Sequence, residues 1–161
     1  MARLPVIDTS PLIFLSKSGY LDLLQLISRE IIVPKAVANE IEAYGINDIT
    51  NQKVTETNWL IVRETPALPN VIKNWNLGAG ESEVLTWGYL HSGTEVIIDD
   101  LAARRCAKAL KIPMRGTLGL VLIAKQRKEI PSARQVLEKL RLAGMYLSDR
   151  VMNKALGKVG E

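Results

Sequence analysis

Short apolar runs alternate with longer helical patterns along almost the whole chain, and this alternation is the feature that most restricts its fold. The five runs read LPVI, EIIVP, LIV, EVII and IPMR and lie near residues 5, 31, 61, 97 and 114. Each is bounded by charged or turn-forming residues, as buried strands are. Strands separated by helices favour a parallel sheet with right-handed crossovers. The sequence therefore predicts a three-layer α/β/α fold with a mainly parallel central sheet of about five strands.

Helical patterns fill the gaps between these runs. They cover residues 11–26 with a break at Ser18 and Gly19, and then 35–44, 79–91, 101–110, 117–128, 133–143 and 148–156. The stretch from Gly45 to Asn76 is mostly polar and is predicted to hold only the third strand. Because no linker, repeat or low-complexity segment divides the chain, we expect a single domain over 1–161, with a core at 1–128 and a helical extension at 129–161.

Charged residues are divided unevenly along the chain. Residues 1–100 hold 7 Lys or Arg and 13 Asp or Glu, whereas residues 101–161 hold 14 and 4 respectively. Such a distribution suits a protein that collects cations with one half and an acidic polymer with the other. Solvated helices that happen to be basic would give the same count, so charge alone does not decide between the two interpretations.

The apolar runs are too short to cross a bilayer, for which roughly twenty residues are needed, and MARLPVID lacks the long apolar region of a secretory signal. The single cysteine, Cys106, can form no internal disulfide and is expected in the core. We therefore expect a cytoplasmic protein without a membrane segment.

The stretch VIDTSPLI places Asp8 directly after the first apolar run. Ser10 can cap the helix that follows and Pro11 fits its first turn, so the chain is predicted to pass from strand to helix at this point. Ligands of parallel sheets bind along the edge formed by the carboxyl ends of the strands. Asp8 would lie at this edge, either in a functional site or as a structural carboxylate that caps the helix.

Two glutamates lie on the apolar stripes of predicted helices. The stripes are Val37, Glu40, Ile41, Tyr44 and Glu81, Val84, Leu85, Gly88, while Glu42 and Glu83 lie off them. A buried carboxylate without a partner is costly. Each inward glutamate therefore needs a cation such as a metal ion, or a half-solvated place at the rim of its stripe.

An acidic pair, Asp99 and Asp100, closes the fourth apolar run just before the helix LAARRCAKAL. One of the two is expected to cap this helix and the other to project over the sheet edge, although both could contact a metal. Together with Asp8, Glu40 and Glu81 they would form an all-oxygen cluster. Carboxylates without thiolates or imidazoles suit Mg²⁺ or Mn²⁺ better than zinc.

Taken in order, VIDTSPLI, the isolated Glu40, LGAGESEVL, IIDDLAARRCA and MRGTLGLVLIAK resemble the motifs of PIN-domain proteins. More narrowly, they are similar to the small prokaryotic branch related to VapC-type toxin ribonucleases. The likeness extends from Val6 to Lys125, and the tail YLSDRVMNKALGKVGE also fits. Many toxin relatives carry Asp at the place of Glu81, whose longer side chain could shift or weaken a second metal.

The resemblance implies a metal-dependent endoribonuclease that hydrolyses RNA phosphodiester bonds with bound Mg²⁺ or Mn²⁺, as the toxin of a toxin–antitoxin system. It also implies a homodimer that is held inactive by a small cognate antitoxin. By position, the catalytic and metal-binding acids that it implies are Asp8, Glu40, Glu81, Asp99 and Asp100.

Three polar residues are candidate contacts for RNA. Thr117 can cap the helix TLGLVLIAK and leave its first N–H groups facing the edge, where a phosphate could lie. Arg104, or its neighbour Arg105, could hold the RNA backbone, and Ser10 is the third candidate. Capping for Thr117 and a solvated face for the arginines are the simpler interpretations. The basic C-terminal residues would attract RNA in a salt-dependent way.

Other interpretations find less support. His91 is expected at a helix end rather than in catalysis, and Trp59, Trp75 and Trp87 are expected in the core or at an interface. GAGESE lacks the third glycine of a dinucleotide-binding loop, and an aspartyl phosphatase or a receiver-type phosphoacceptor stays a minor alternative. The main alternative is a catalytically silent PIN-like module that binds RNA or a protein, because fold does not fix function.

Overall fold

The computed structural model of this chain describes residues 3–161, so the first two residues of the expected domain lie outside it. Within the described residues, five parallel strands form one sheet. They are β1 (Val6–Ile7), β2 (Ile31–Pro34), β3 (Leu60–Arg63), β4 (Val96–Ile97) and β5 (Met114–Arg115). Their order is β3-β2-β1-β4-β5, and helices flank the sheet. The predicted three-layer α/β/α fold, with strands at all five apolar runs, is confirmed.

Helices connect these strands. They are α1 (Thr9–Ser18), a 3₁₀ helix (Leu21–Leu26), α2 (Lys35–Glu42), α3 (Ile49–Glu56), α4 (Asn70–Lys73), α5 (Ala79–Leu90), α6 (Leu101–Ala109), α7 (Thr117–Gln126), α8 (Ala133–Leu142) and α9 (Asp149–Gly157). The prediction missed α3 and α4, which lie in the polar stretch between Gly45 and Asn76. Both are short, and α3 is largely exposed, so neither leaves a strong apolar periodicity in the sequence.

The central position of β1 determines where a ligand could bind. Val6 pairs with Ile32 of β2 on one side and with Val96 of β4 on the other. The chain first builds the sheet outward from β1 through β2 to β3, and then returns to the other side of β1 with β4 and β5. The strand order thus reverses between β1 and β4, and such a reversal opens a crevice at the carboxyl ends of the two strands.

The core explains why the strands are short, continuous apolar runs. Both residues of β1 and both residues of β4 are fully buried, as expected for strands that are covered on both faces. Cys106 is buried as predicted. On α2, Val37 and Ile41 are buried, but Tyr44 is 61% exposed. Its predicted place on the apolar stripe is wrong because α2 ends at Glu42.

The side chain of the last residue connects the start of α8 to α7. The Glu161 side chain accepts hydrogen bonds from the backbone N–H groups of Ala133 (2.7 Å) and Arg134 (3.2 Å), at the start of α8. Lys125 of α7 lies 3.4 Å from the same carboxylate. Among residues 3–161, no helix combines the length and the hydropathy needed to cross a bilayer.

Candidate functional site

Asp8 lies at the crevice where the strand order reverses. It follows β1, and its backbone N–H donates to the Ile97 carbonyl of β4 at 3.0 Å. Asp8 is also the N-cap residue of α1, so the helix begins at Thr9, and the predicted capping role of Ser10 is wrong. The Asp8 side chain makes no capping hydrogen bond to α1. The side chain is only 2% exposed, so it is a buried acid without a fixed structural partner.

Glu40 reaches the same edge from α2 and is half-buried, which corresponds to the alternative of a half-solvated place at the rim of its stripe. Its Oε2 accepts from the Thr9 hydroxyl at 2.5 Å, and its Oε1 accepts from the Gly80 N–H at 2.9 Å. A Cβ at position 80 would lie 2.7 Å from Oε1, so an alanine there would displace the carboxylate. Glu40 therefore connects the N-terminal turns of α1 and α5, which the sequence alone did not reveal.

Glu81 lies in the first turn of α5 and is also half-buried. Gly78 gives it room, since a Cβ there would lie 2.5 Å from Glu81 Oε2. Glu83, two residues further, has a structural role that sequence reasoning missed. It accepts from the Ala36 N–H at 3.0 Å and from the Thr65 hydroxyl at 2.8 Å, and so caps α2 from another helix. No local pattern reveals this cap, because its donors lie 47 and 18 residues away along the chain.

The two carboxylates that follow β4 both cap helices. Asp100 is the N-cap of α6 and accepts from the Ala103 N–H at 2.9 Å, while its exposed side chain borders the groove at the edge. Asp99 accepts from the Thr117 N–H at 2.8 Å and from the Thr117 hydroxyl at 2.6 Å. The prediction that one of the pair caps α6 is confirmed for Asp100, and the capping of α7 by Asp99 from outside that helix was not predicted.

The predicted RNA contacts have different surroundings. Thr117 is fully buried, and Gly116 is the N-cap of α7, so the predicted capping role of Thr117 is wrong. Arg104 donates to the Ile98 carbonyl at 3.2 Å, and its guanidinium occupies the space beside Gly116, where a Cβ would lie 2.6 Å from Nη1. Ser10 and Arg104 both line the groove, and Arg105 is exposed.

The acids at this edge influence one another electrostatically. Burial raises the pKa of Asp8 from its ordinary value of 3.8 to about 7, and the charges of Glu81, Glu40 and Asp100 add to the rise, while the Thr9 backbone N–H opposes it. Burial also raises the pKa of Glu81, with Asp100 and Glu40 contributing. Among residues 3–161, no Lys, Arg or His forms an ion pair with any of these four acids. We call Asp8, Glu40, Glu81 and Asp100 the acidic edge.

The acidic edge fits a hard divalent cation in its chemistry. All of its side-chain donors are carboxylate oxygens, and they carry negative charge that no neighbouring cation offsets. Its side chains are nevertheless spread apart, because in the described part of the chain no three Asp, Glu, His or Cys side chains converge closely enough to hold a metal ion. Binding would require these side chains to rotate inward.

The remaining sequence candidates lie away from this chemistry. His91 is the C-cap of α5, and its Nδ1 lies 3.1 Å from the Trp87 carbonyl, which agrees with the predicted helix-end role. Trp59 and Trp87 pack against the core, as expected, whereas Trp75 is exposed.

The comparison with protein families agrees with the architecture. A family model described as a PIN domain, DUF3368, matches residues 4–161, which is nearly the whole chain. No curated protein matches the chain significantly. PIN domains are generally nucleases that use divalent metals, so the family indicates a nuclease-type fold. With its parallel sheet, the acids at the strand-order reversal and a match over residues 4–161, this chain belongs to the DUF3368 family of PIN domains.

Proposed function

We propose that this protein is a Mg²⁺- or Mn²⁺-dependent endoribonuclease that hydrolyses RNA phosphodiester bonds. The observation that carries the proposal is Asp8, a carboxylate that is 2% exposed and whose pKa is raised to about 7 by burial and by three neighbouring acids. An uncompensated buried carboxylate is costly, and perturbed pKa values concentrate at functional sites. The family match adds to this support, because PIN domains are generally nucleases.

Each member of the acidic edge has a proposed role. Asp8 is the central metal ligand, and Glu40 and Asp100 complete the ligand set, while Glu81 orients the attacking water or a second ion. When bound, the divalent cation would acidify a water molecule and draw charge from the phosphate oxygens. The fifth acid that the sequence implies, Asp99, positions the site through its two hydrogen bonds to Thr117.

Two residues of the groove, Arg104 and Ser10, are proposed as contacts for the RNA. Arg104 and Ser10 line the groove beside Asp100 and are proposed to contact the RNA backbone. Thr117, the third candidate from the sequence, has both donors bonded to Asp99. It therefore contributes to RNA binding by holding the start of α7, not by direct contact with a phosphate.

A metal titration with an RNA cleavage assay tests the proposal. Wild type should produce fragments from a labelled RNA when Mg²⁺ or Mn²⁺ is added, and none in EDTA. Asp8→Asn should lower the rate by about 100-fold or more, because it removes the central ligand. Glu42→Gln, an exposed change on the far side of α2, is the matched control and should cleave like wild type. Cleavage by Asp8→Asn at the wild-type rate would remove Asp8 from the mechanism.

A second candidate function is a silent module that binds RNA or a protein without cleaving it. Two observations favour it: the acids are not converged among residues 3–161, and both oxygens of Asp99 are engaged by Thr117. The same assay separates the candidates. A silent module would retain RNA in a binding assay and produce no fragments at any concentration of either metal.

We further propose that the protein acts in the cytoplasm as the toxin of a toxin–antitoxin system related to the VapC type. In this role it is a homodimer restrained by a small antitoxin. Expression alone should slow growth, and co-expression of the small protein encoded beside it should restore growth. Sedimentation of the purified protein should give the mass of two chains. Normal growth on expression alone, in a strain where cleavage is detected, would contradict the toxin role.

A further inference from the structure

A groove of about 920 Å³ opens beside the acidic edge. Glu81, Asp100 and Arg104 line it where α5 and α6 begin, and Tyr146, Lys154 and Lys158 line it where α8 passes into α9 and along α9. The groove is far larger than a metal ion requires and is comparable to the pockets that hold whole small molecules. It therefore joins the acidic edge to a basic, partly aromatic surface.

Tyr146 lies exposed in the turn between α8 and α9. Its ring is 91% exposed, although the next residue, Leu147, is buried. Arg141 donates to the Leu147 carbonyl at 2.9 Å, and Gly144 takes a φ of 109°, which a side chain would strain. The Arg141 hydrogen bond therefore holds the backbone just after Tyr146, and the exposed ring offers a stacking surface at the groove.

Lys154 of α9 and Lys158, the C-cap residue of this helix, are exposed cations one helical turn apart. Both side chains are exposed and line the groove, and no acid pairs with either of them within residues 3–161. Asp149, the acid in the first turn of this helix, is paired instead with Arg141. The opposite face of α9 is anchored by the buried Met152 and Leu156. The lysines are thus presented by a packed helix.

We propose that this groove binds unpaired RNA, with a base stacked on Tyr146 and phosphates held by Lys154 and Lys158. This inference rests on the proposed function, since it identifies residues outside the acidic edge that hold the RNA beside it. A single strand offers both an open base face and a row of phosphates, which match the exposed ring and the two free lysines. In a duplex the base faces are covered by neighbouring base pairs. A duplex would therefore offer phosphates to the two lysines but no base face to Tyr146.

Fluorescence anisotropy in EDTA, where cleavage is suppressed, tests the inference. The probe is a labelled unpaired RNA of about 12 nucleotides, compared with the same strand in a blunt duplex. Tyr146→Ala should weaken binding of the single strand about 5- to 100-fold, because base–aromatic stacking is lost, and Tyr146→Trp should restore it. Tyr44→Ala removes an exposed tyrosine outside the groove lining and is the matched control, expected to bind like wild type.

The lysines are tested by the salt dependence of binding. Lys154→Ala combined with Lys158→Ala should reduce the slope of log affinity against log salt by about 1.4, since two phosphate contacts are removed from a single strand. Lys73→Ala combined with Lys108→Ala removes the same charge at exposed positions outside the groove lining and should leave the slope unchanged. Tyr146→Ala should not alter the slope, because stacking releases no counterions.

Equal affinity in Tyr146→Ala and Tyr44→Ala would overturn the inference, as would equal affinity for the duplex and the single strand. Insensitivity of RNA affinity to all of the groove substitutions would also overturn it and would indicate a protein occupant instead. The cleavage assay is scored separately. Loss of RNA affinity in Tyr146→Ala, in a protein that never cleaves RNA, would support the groove and contradict the nuclease. Normal affinity and normal cleavage in that variant would overturn the groove alone.

Discussion

Asp8 and Asp99 follow neighbouring strands at the same edge of one sheet, but their surroundings differ. Asp99 accepts two hydrogen bonds from Thr117, at 2.8 and 2.6 Å, and holds the start of α7. Asp8 caps α1 only by its position, without a side-chain hydrogen bond from that helix, and its pKa is raised to about 7. The two donors from Thr117 give Asp99 a role in the fold, whereas the buried carboxylate of Asp8 has no such donors and is available to a ligand.

The same contrast occurs within α5. Glu83 accepts from Ala36 and Thr65 and caps α2. Glu81, two residues earlier, borders the groove, and its pKa is raised chiefly by burial. Glu81 and Glu83 have different roles because their side chains point in different directions. Position after a strand or in the first turn of a helix therefore does not by itself assign the function of an acid.

The largest expected effect is on Asp8. In metal-free protein at pH 8, Asp8→Asn should raise the free energy of unfolding by on the order of 4 kcal/mol, because it removes a buried charge whose pKa is about three units above its ordinary value. At pH 4 the two proteins should unfold almost alike. Chemical denaturation in EDTA at several pH values measures the difference.

The sign follows from proton binding. Between pH 4 and 7 folded wild type keeps the proton on Asp8 while the unfolded chain releases it, so the contribution of Asp8 to stability is lost as pH rises through this range. The raised pKa of Glu81 acts in the same direction. A stability difference between wild type and Asp8→Asn that does not grow with pH would show that Asp8 is not the isolated buried acid described here.

Substitution of Asp99 is expected to lower the stability of the protein, in contrast to Asp8→Asn. Asp99→Ala should lower the free energy of unfolding by about 2–4 kcal/mol, since it leaves the N–H and the hydroxyl of the fully buried Thr117 without an acceptor. Asp99→Asn keeps one acceptor oxygen and should cost less. Thermal unfolding of both variants beside Asp8→Asn tests the contrast, and it fails if Asp99→Ala is as stable as wild type.

A smaller effect is expected for the cap that joins α2 to α5. Glu83→Ala should lower the free energy of unfolding by about 1 kcal/mol, because the Ala36 N–H loses its acceptor. Glu42→Ala, at an exposed position on α2, is the control and should cause no measurable shift. If the two variants have equal stability in denaturant titrations, then Glu83 does not stabilise the start of α2.

The sequence predicted the strands well because each is a compact apolar run between charged or turn-forming residues, such as EIIVP for β2. For Glu40 and Glu81 it offered an inward place or a half-solvated place at the rim of the apolar stripe, and both side chains are half-buried, as the second alternative predicts. The capping roles of Ser10 and Thr117 were wrong for a common reason. Local patterns favour a hydroxyl near the helix start, but the fold places Asp8 at one N-cap and supplies Asp99 to α7 from a different strand.

Glu83 and the site glycines show what sequence periodicity cannot detect. The helical wheel places Glu83 away from Glu81, but it does not indicate that the start of α2 lies on that side. Likewise, Gly80 is an ordinary helix residue in the sequence, and its value lies in the space that it leaves for Glu40. Such contacts join residues that are distant along the chain, so only the assembled fold reveals them.

The pairing of β1 with β4 has a consequence for the growing chain. Val6 pairs with Val96, so one side of the crevice at Asp8 is missing until β4 has emerged from the ribosome. The hydrogen bonds between Asp99 and Thr117 form later still, because Thr117 emerges after Asp99. A chain under synthesis, which is surrounded by the RNA of its own translation, therefore lacks a complete acidic edge until most of its residues have been translated.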